Sequence, residues 1–145
     1  MRMVLSIATQ NGWNVYQMDV KSLFLNEFLE EVVYVKQPSR YEVEGHEDKV
    51  HWLKKALYGL KQVPRVWYNR IYAYLTSNGF IRSANDPTLY TKVNDKGEIM
   101  IVCLFVDNLI FIGKLPIKLF KTTMKREFEM TYLGLMKYFL GIEVK

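Results

Sequence analysis

Phe105-Val106-Asp107-Asn108 separates two wholly apolar runs, Ile99-Met100-Ile101-Val102-Cys103-Leu104 before it and Leu109-Ile110-Phe111-Ile112 after it. Two apolar strands joined by so short a polar break form a hairpin, and the break sets a lone carboxylate, Asp107, at its tip. Asp and Asn favour such turns because both tolerate positive φ. Turn chemistry alone therefore explains the tetrad as readily as a functional site does. A second carboxylate, Asp19, closes the strand-like stretch Val15-Tyr16-Gln17-Met18. Aspartates at the ends of neighbouring central strands would meet the demand of two-metal phosphoryl transfer, which needs carboxylates holding two divalent ions about 3.5 to 4 Å apart. Asp19 and Asp107 are far apart in sequence, and only a sheet that places their strands side by side unites them.

The bulk properties bound the answer. A chain of 145 residues, 50% hydrophobic and 14% aromatic, fits one domain with an ample core. A formal charge of +5 suits a polyanionic partner and is also common in ordinary soluble domains. Cys103 is the only cysteine, which excludes an intrachain disulfide and a cysteine zinc cluster and makes a reducing, intracellular setting the simpler expectation. The apolar stretch from Ile99 to Ile112 is broken by Asp107 and Asn108 and is too short to span a bilayer as a helix. The first residues lack the length and small-residue cleavage site of a signal peptide.

Periodicity supplies the elements. Met3, Val4, Ile7 and Ala8 mark a helical face that Asn11-Gly12 would stop. Val15 to Val20 and Val32 to Val35 read as strands, and 39 to 48 as a polar, acidic loop before a strand at Val50 to Leu53. The clearest helix starts at Pro64, repeats apolar residues at Trp67, Ile71, Tyr74 and Leu75, and stops at Asn78-Gly79. Thr88 to Val93 and Glu98 to Leu104 flank the hairpin signal Asn94-Asp95-Lys96-Gly97. Leu109 to Ile112 continues the meander. A further helix starts near Pro116, and Tyr138 to Val144 reads as a terminal strand. The order predicts one α+β domain, an antiparallel sheet of about five strands with helices packed on one face, RRM-like in its core.

Two longer runs carry a family resemblance. Gln17-Met18-Asp19-Val20-Lys21-Ser22-Leu23-Phe24-Leu25-Asn26 and Leu53-Lys54-Lys55-Ala56-Leu57-Tyr58-Gly59-Leu60-Lys61-Gln62-Val63-Pro64-Arg65-Val66-Trp67-Tyr68 closely resemble the reverse transcriptase of copia-type LTR retrotransposons. The likeness extends from Ile7-Ala8-Thr9-Gln10-Asn11-Gly12-Trp13 to Tyr138-Phe139-Leu140-Gly141-Ile142-Glu143-Val144, essentially the whole chain. It implies a polymerase palm that copies RNA with two Mg²⁺ ions, a primer-template and deoxynucleotides, alongside other segments of a Pol polyprotein inside the cell. Asp19 matches the first catalytic, metal-ligating aspartate, and Asp107 the first aspartate of the family's Tyr-Val-Asp-Asp hairpin. Phe24 resembles the aromatic gate against a ribose 2′-hydroxyl; by itself it reads as a core aromatic. Tyr58, Gly59, Lys61 and Gln62 resemble the nucleotide-positioning turn, with Pro64 and Arg65 on the template side. Phe139, Leu140 and Gly141 resemble the hairpin that steadies the primer end, and alone would be an ordinary buried strand. Lys54, Lys55, Lys61, Arg65 and Arg70 around one helix fit phosphate contact. Lys114, Lys118, Lys121, Lys125 and Arg126 around the other read rather as a solvated face. His46 and His51 lack partners at metal-ligand spacing and receive no chemistry.

The sequence departs from the family's pattern where it matters. Asn108 stands at the second hairpin aspartate and Phe105 at the tyrosine. An amide oxygen coordinates Mg²⁺ without charge. A unit charge pair at 4 Å is worth roughly 4 kcal/mol at an effective dielectric near 20, and a net loss of about 2.7 kcal/mol corresponds to roughly 100-fold in rate. The family's upstream fingers and its downstream thumb and ribonuclease H regions have no counterpart in residues 1–145. Gly113-Lys114-Leu115-Pro116 is a short linker for the family, and Leu135-Met136 lacks the family's usual acidic residue. The expectation is a palm fragment of a partial or decayed element, inactive as it stands. The competing expectation is a non-catalytic nucleic-acid-binding palm relic.

Overall fold

The computed structural model describes residues 2–20, 28–55, 63–105, 108–139 and 142–143. In chain order the elements are α1 (Arg2–Asn11), β1 (Tyr16–Val20), β2 (Phe28–Lys36), β3 (Val50–Lys55), α2 (Val63–Ser77), β4 (Ile81–Arg82), β5 (Leu89–Val93), β6 (Ile99–Phe105), β7 (Asn108–Gly113), α3 (Ile117–Phe128), β8 (Met130–Leu135), β9 (Tyr138–Phe139) and β10 (Ile142–Glu143). They divide into two units, residues 1–21 with 72–145, and residues 22–71. Among the described residues no helix is long and apolar enough to cross a membrane.

The larger unit is built on a six-stranded sheet in the order β4-β5-β6-β7-β1-β8, antiparallel at every pairing. β6 and β7 sit at its centre, β6 apolar throughout and β7 apolar from Leu109 to Ile112, the pattern of strands buried on both faces. Register separates the two faces. Tyr90, Val102, Phe111 and Tyr16 are successive cross-strand partners on one face, and Leu89, Cys103, Ile110 and Gln17 on the other. Helix α3 covers the first, its Phe120 ring 5.0 Å from that of Phe111 at 60°. Helix α1 covers the second, burying Val4 and Ala8 with Val15, Leu89, Ile101, Cys103, Ile110, Ile112 and Met136. Helices therefore lie on both faces, not on one as expected. The unbroken apolar runs of β6 and β7 require it, since a sheet left bare on one side would expose Ile101, Cys103, Ile110 and Ile112 to water.

Local chemistry sets the boundaries. Gly12 (φ 65°) and Gly79 (φ 86°) end α1 and α2, and in each case the next amide reaches back five residues, Trp13 N to Ala8 O at 2.9 Å and Phe80 N to Leu75 O at 3.0 Å, the Schellman arrangement. Asn94 closes the β5–β6 hairpin by accepting from Glu98 N at 2.9 Å and donating to the Glu98 carboxylate at 2.7 Å. The expected terminal strand is instead two short strands paired in antiparallel fashion, Ile142 with Phe139 and Glu143 with Tyr138. β8, unanticipated, forms one edge of the sheet. It bulges at Leu133, where Met18 faces Tyr132 but Gln17 faces Gly134, and Gly134 takes φ 88°.

The smaller unit holds an antiparallel ribbon of β2 and β3, with Tyr34 opposite Trp52 and Lys36 opposite Val50. Their connection is irregular and exposed, as its polar sequence predicts. Gln37, which is buried, organises it: its amide donates to the carbonyls of His46 (2.7 Å) and Lys49 (3.0 Å) and accepts from Val43 N (2.9 Å).

Candidate functional site

Asp19 lies at the penultimate position of β1, and its Cα partner on β7 is Asn108. On its other side the partner is Thr131 of β8. Asn108 in turn pairs with Phe105 of β6. Sheet pairing thus unites the two sequence segments that the lone carboxylates mark. Asp107 itself lies outside the described residues. Its covalent neighbour Asn108 begins β7.

Side chains alternate across a strand, so Gln17 shares a face with Asp19, and both share it with Asn108. The Gln17 amide uses this: its Nε2 donates to Asn108 Oδ1 at 2.7 Å. All three residues are half-buried. Sequence reasoning missed Gln17, although its position two residues before Asp19 was the available signal. Directly opposed residues in an antiparallel pair hold their Cβ atoms about 4.5–5.5 Å apart, close enough for the Asp19 and Asn108 side chains to approach one cation.

The donor chemistry fits a hard divalent ion, which takes carboxylate and amide oxygens. The fit is weak at position 108. That oxygen is neutral and already accepts from Gln17. Among the described residues no cluster of three or more His, Cys, Asp or Glu side chains stands ready for a metal.

The other expected site residues divide by position. Phe24, Tyr58, Gly59, Lys61, Gln62, Leu140 and Gly141 lie outside the described residues. Pro64 and Arg65 fall in the first turn of α2, and Phe139 lies in β9, where it pairs with Ile142. Among the described residues of that set, strand pairing brings together Asp19 and Asn108. On α3, Lys121 sits 3.7 Å over the Tyr132 ring, and Arg126 meets its neighbour Glu127 at 3.5 Å. Lys114, Lys118 and Lys125 are exposed, which accords with a solvated face. Cys103 is buried, and burial pushes its thiol above the ordinary range, so it offers no nucleophile.

Comparison with known proteins gives the chain its relatives. The family model described as reverse transcriptase (RNA-dependent DNA polymerase) matches residues 1–145. The retrovirus-related Pol polyprotein from transposon TNT 1-94 of Nicotiana tabacum is 37% identical over 146 residues, covering 99% of this chain and 11% of that polyprotein. The corresponding polyprotein from transposon RE1 of Arabidopsis thaliana is 36% identical, covering 99% of this chain and 10% of its own length. The putative transposon Ty5-1 protein YCL074W of Saccharomyces cerevisiae is 35% identical over 130 residues, covering 88% of this chain and 42% of that protein. The chain thus spans about a tenth of the plant polyproteins it matches. No solved structure matches it. The chain belongs to the reverse transcriptase (RNA-dependent DNA polymerase) family, in its copia-type retrotransposon branch.

Proposed function

We propose that residues 1–145 form the palm region of a retrotransposon RNA-directed DNA polymerase, acting inside the cell with other Pol segments, and that its nucleotidyl-transfer site is disabled by asparagine at position 108. The observation that supports this reading is the register of Asp19 against Asn108, which brings those two residues together at one sheet end. In that site Asp19 and Asp107 would hold the two Mg²⁺ ions that the family implies. Bound there, the ions would lower the pKa of the attacking primer hydroxyl and offset charge on the departing pyrophosphate. Phe24 packs against the incoming sugar and rejects a 2′-hydroxyl. Tyr58, Gly59, Lys61 and Gln62 orient the nucleotide, Pro64 and Arg65 the template, and Phe139, Leu140 and Gly141 the primer end. Asn108 contributes a neutral oxygen that Gln17 already engages, so cation affinity falls and the template-primer remains the partner.

That engaged oxygen also favours the second reading, a palm that retains nucleic-acid binding without catalysis. Primer extension on an RNA template separates the two. In a chain extended by its neighbouring Pol segments, Asn108→Asp restores extension and Asp19→Ala abolishes it. Extension by the unaltered 145-residue chain that Asp19→Ala removes would contradict the claim of inactivity. No extension by the reverted, extended chain would favour the non-catalytic reading.

A further inference from the structure

Within the larger unit, a cleft of about 150 Å³ opens between the end of α2, the start of α3 and strands β5 and β6. It lies at the end of the sheet away from Asn108. Met100, which lines it, pairs with Gly113, whereas Asn108 pairs with Phe105, and positions 108 and 113 are separated by about 17 Å of strand rise. The floor is apolar. Phe80, Met100 and Leu115 are buried, the Phe80 ring lies 5.8 Å from that of Phe120, and Phe120 in turn meets Phe111 at 5.0 Å. Leu119, 67% exposed, forms the rim. A volume this small holds a single ring, and walls that already contain two rings favour an aromatic guest, which extends the edge-to-face cluster.

Three polar groups at the cleft can donate to a guest. Lys92 reaches it from β5: its Cε would stand 3.5 Å from a Cβ at Gly79, and its ammonium is 5.6 Å from the Phe80 ring centroid. Among the described residues that ammonium meets no carboxylate. The Tyr74 ring is set edge-on against Phe128 at 5.1 Å. Burial, and after it the charge of Glu127, pushes the Tyr74 phenol above its ordinary range, so it stays protonated and donates. Asn78 gives one amide hydrogen to the Tyr74 carbonyl at 2.8 Å and has a second to offer. Glu127 does not line the cleft and meets Arg126 at 3.5 Å. A lone cation flanked by neutral donors, set against apolar walls, matches a guest with one negative charge and one apolar body.

We propose that this cleft binds a small aromatic monocarboxylate, its ring against Phe80, Met100 and Phe120 and its carboxylate on Lys92, with Tyr74 and Asn78 as neutral donors. The site is independent of the Asp19–Asn108 pair and of nucleotide chemistry. The test is titration of the 145-residue chain with phenylacetate, its neutral analogue phenylacetamide, and acetate, read by methyl NMR of labelled methionine. Met100, assigned through Met100→Leu, is the reporter inside the cleft. Phenylacetate should shift Met100 and bind about tenfold more tightly than phenylacetamide, the worth of one charge-assisted hydrogen bond, while acetate, which lacks the ring, should leave Met100 unmoved. Lys92→Met should erase the preference for the acid. Thr123→Phe, which fills the cleft from α3, should abolish binding of both ring compounds, and Lys118→Met, an exposed lysine outside the cleft, should change neither. Thermal denaturation of each variant guards against misfolding, and if Thr123→Phe fails to fold, the comparison of acid with amide in the parent and in Lys92→Met decides. An unmoved Met100, equal binding of acid and amide, or a preference that survives Lys92→Met overturns the proposal. So does a concentration-dependent dimer that Thr123→Phe dissolves and phenylacetate leaves intact, which would assign the cleft to a second copy of the chain.

Discussion

Asn108→Asp should make this chain less stable without metal and more stable with it. Asp19 and residue 108 are direct cross-strand partners, so two carboxylates would stand about 5 Å apart at the Cβ level. Their repulsion is about 0.8 kcal/mol in water and about 3.3 kcal/mol at an effective dielectric of 20, and half-burial places it between. Gln17 already donates to position 108 at 2.7 Å, and a charged acceptor strengthens that bond by about 1 kcal/mol. The net cost is about 1 kcal/mol, or about 3 °C in Tm for a chain of this size. A divalent ion reverses the sign. At a hundredfold excess over its Kd it contributes about 2.7 kcal/mol, which raises Tm by about 8 °C. Thermal denaturation in EDTA and in Mn²⁺, for the unaltered chain, the Asn108→Asp variant and Asp19→Ala with Asn108→Asp, reads this out. The double variant should lose both effects, since the coupling belongs to the pair. An Asn108→Asp chain whose Tm matches the parent in both buffers would refute the reasoning.

Three further perturbations test other parts of the structure. A Cβ at Gly113 (φ 133°) would stand 2.1 Å from the Ile99 carbonyl oxygen and 2.8 Å from Met100 Cα, both backbone atoms, so Gly113→Ala should cost about 3 kcal/mol or more in urea unfolding; a loss within error of zero would show that β7 does not end as described. Arg40 takes φ 73° in the ribbon's connecting segment, and Arg40→Gly should stabilise by about 1 kcal/mol by relieving that conformation, whereas a neutral or destabilised variant would count against it. Asp86 accepts from Thr88 N at 2.9 Å and Thr88 Oγ1 at 2.6 Å, which holds its pKa below the ordinary 3.8. A depressed carboxylate contributes stability above its unfolded pKa and loses it as pH falls through the folded one. Thr88→Val should therefore flatten the acid limb of stability below about pH 4, and an unchanged limb would exclude Asp86 as its source.

Much of the fold is legible because its signals are local. Asn11-Gly12 and Asn78-Gly79 announce helix ends that the backbone realises as Schellman turns, and Asn94 to Gly97 announces a hairpin closed by its own side chains. What escaped notice is non-local. β8 reads as neither alternating nor wholly apolar; its pairing with β1 through a bulge at Leu133 gives it strand form. The coverage of both sheet faces was implicit in the uninterrupted apolar runs of β6 and β7, a pattern whose meaning depends on knowing that these strands are central. At the candidate site, the sequence marks Asp19, Asp107 and Asn108, and register explains how Asp19 and Asn108 meet. Gln17 passed unremarked because an amide in a strand carries no chemical signature until its partner across the sheet is known. Gln37, just after β2, passed unremarked because its partners, His46, Lys49 and Val43, lie six to twelve residues further along an irregular segment.

The most direct test is Mn²⁺ affinity, measured by the loss of the free-ion electron paramagnetic resonance signal, for the unaltered chain, Asn108→Asp, and Asp19→Ala with Asn108→Asp. If Asp19 and position 108 share a metal site weakened by the amide, Asn108→Asp binds about 100-fold more tightly than the parent, the equivalent of about 2.7 kcal/mol, and Asp19→Ala removes the gain. Equal affinity in all three chains would contradict the account.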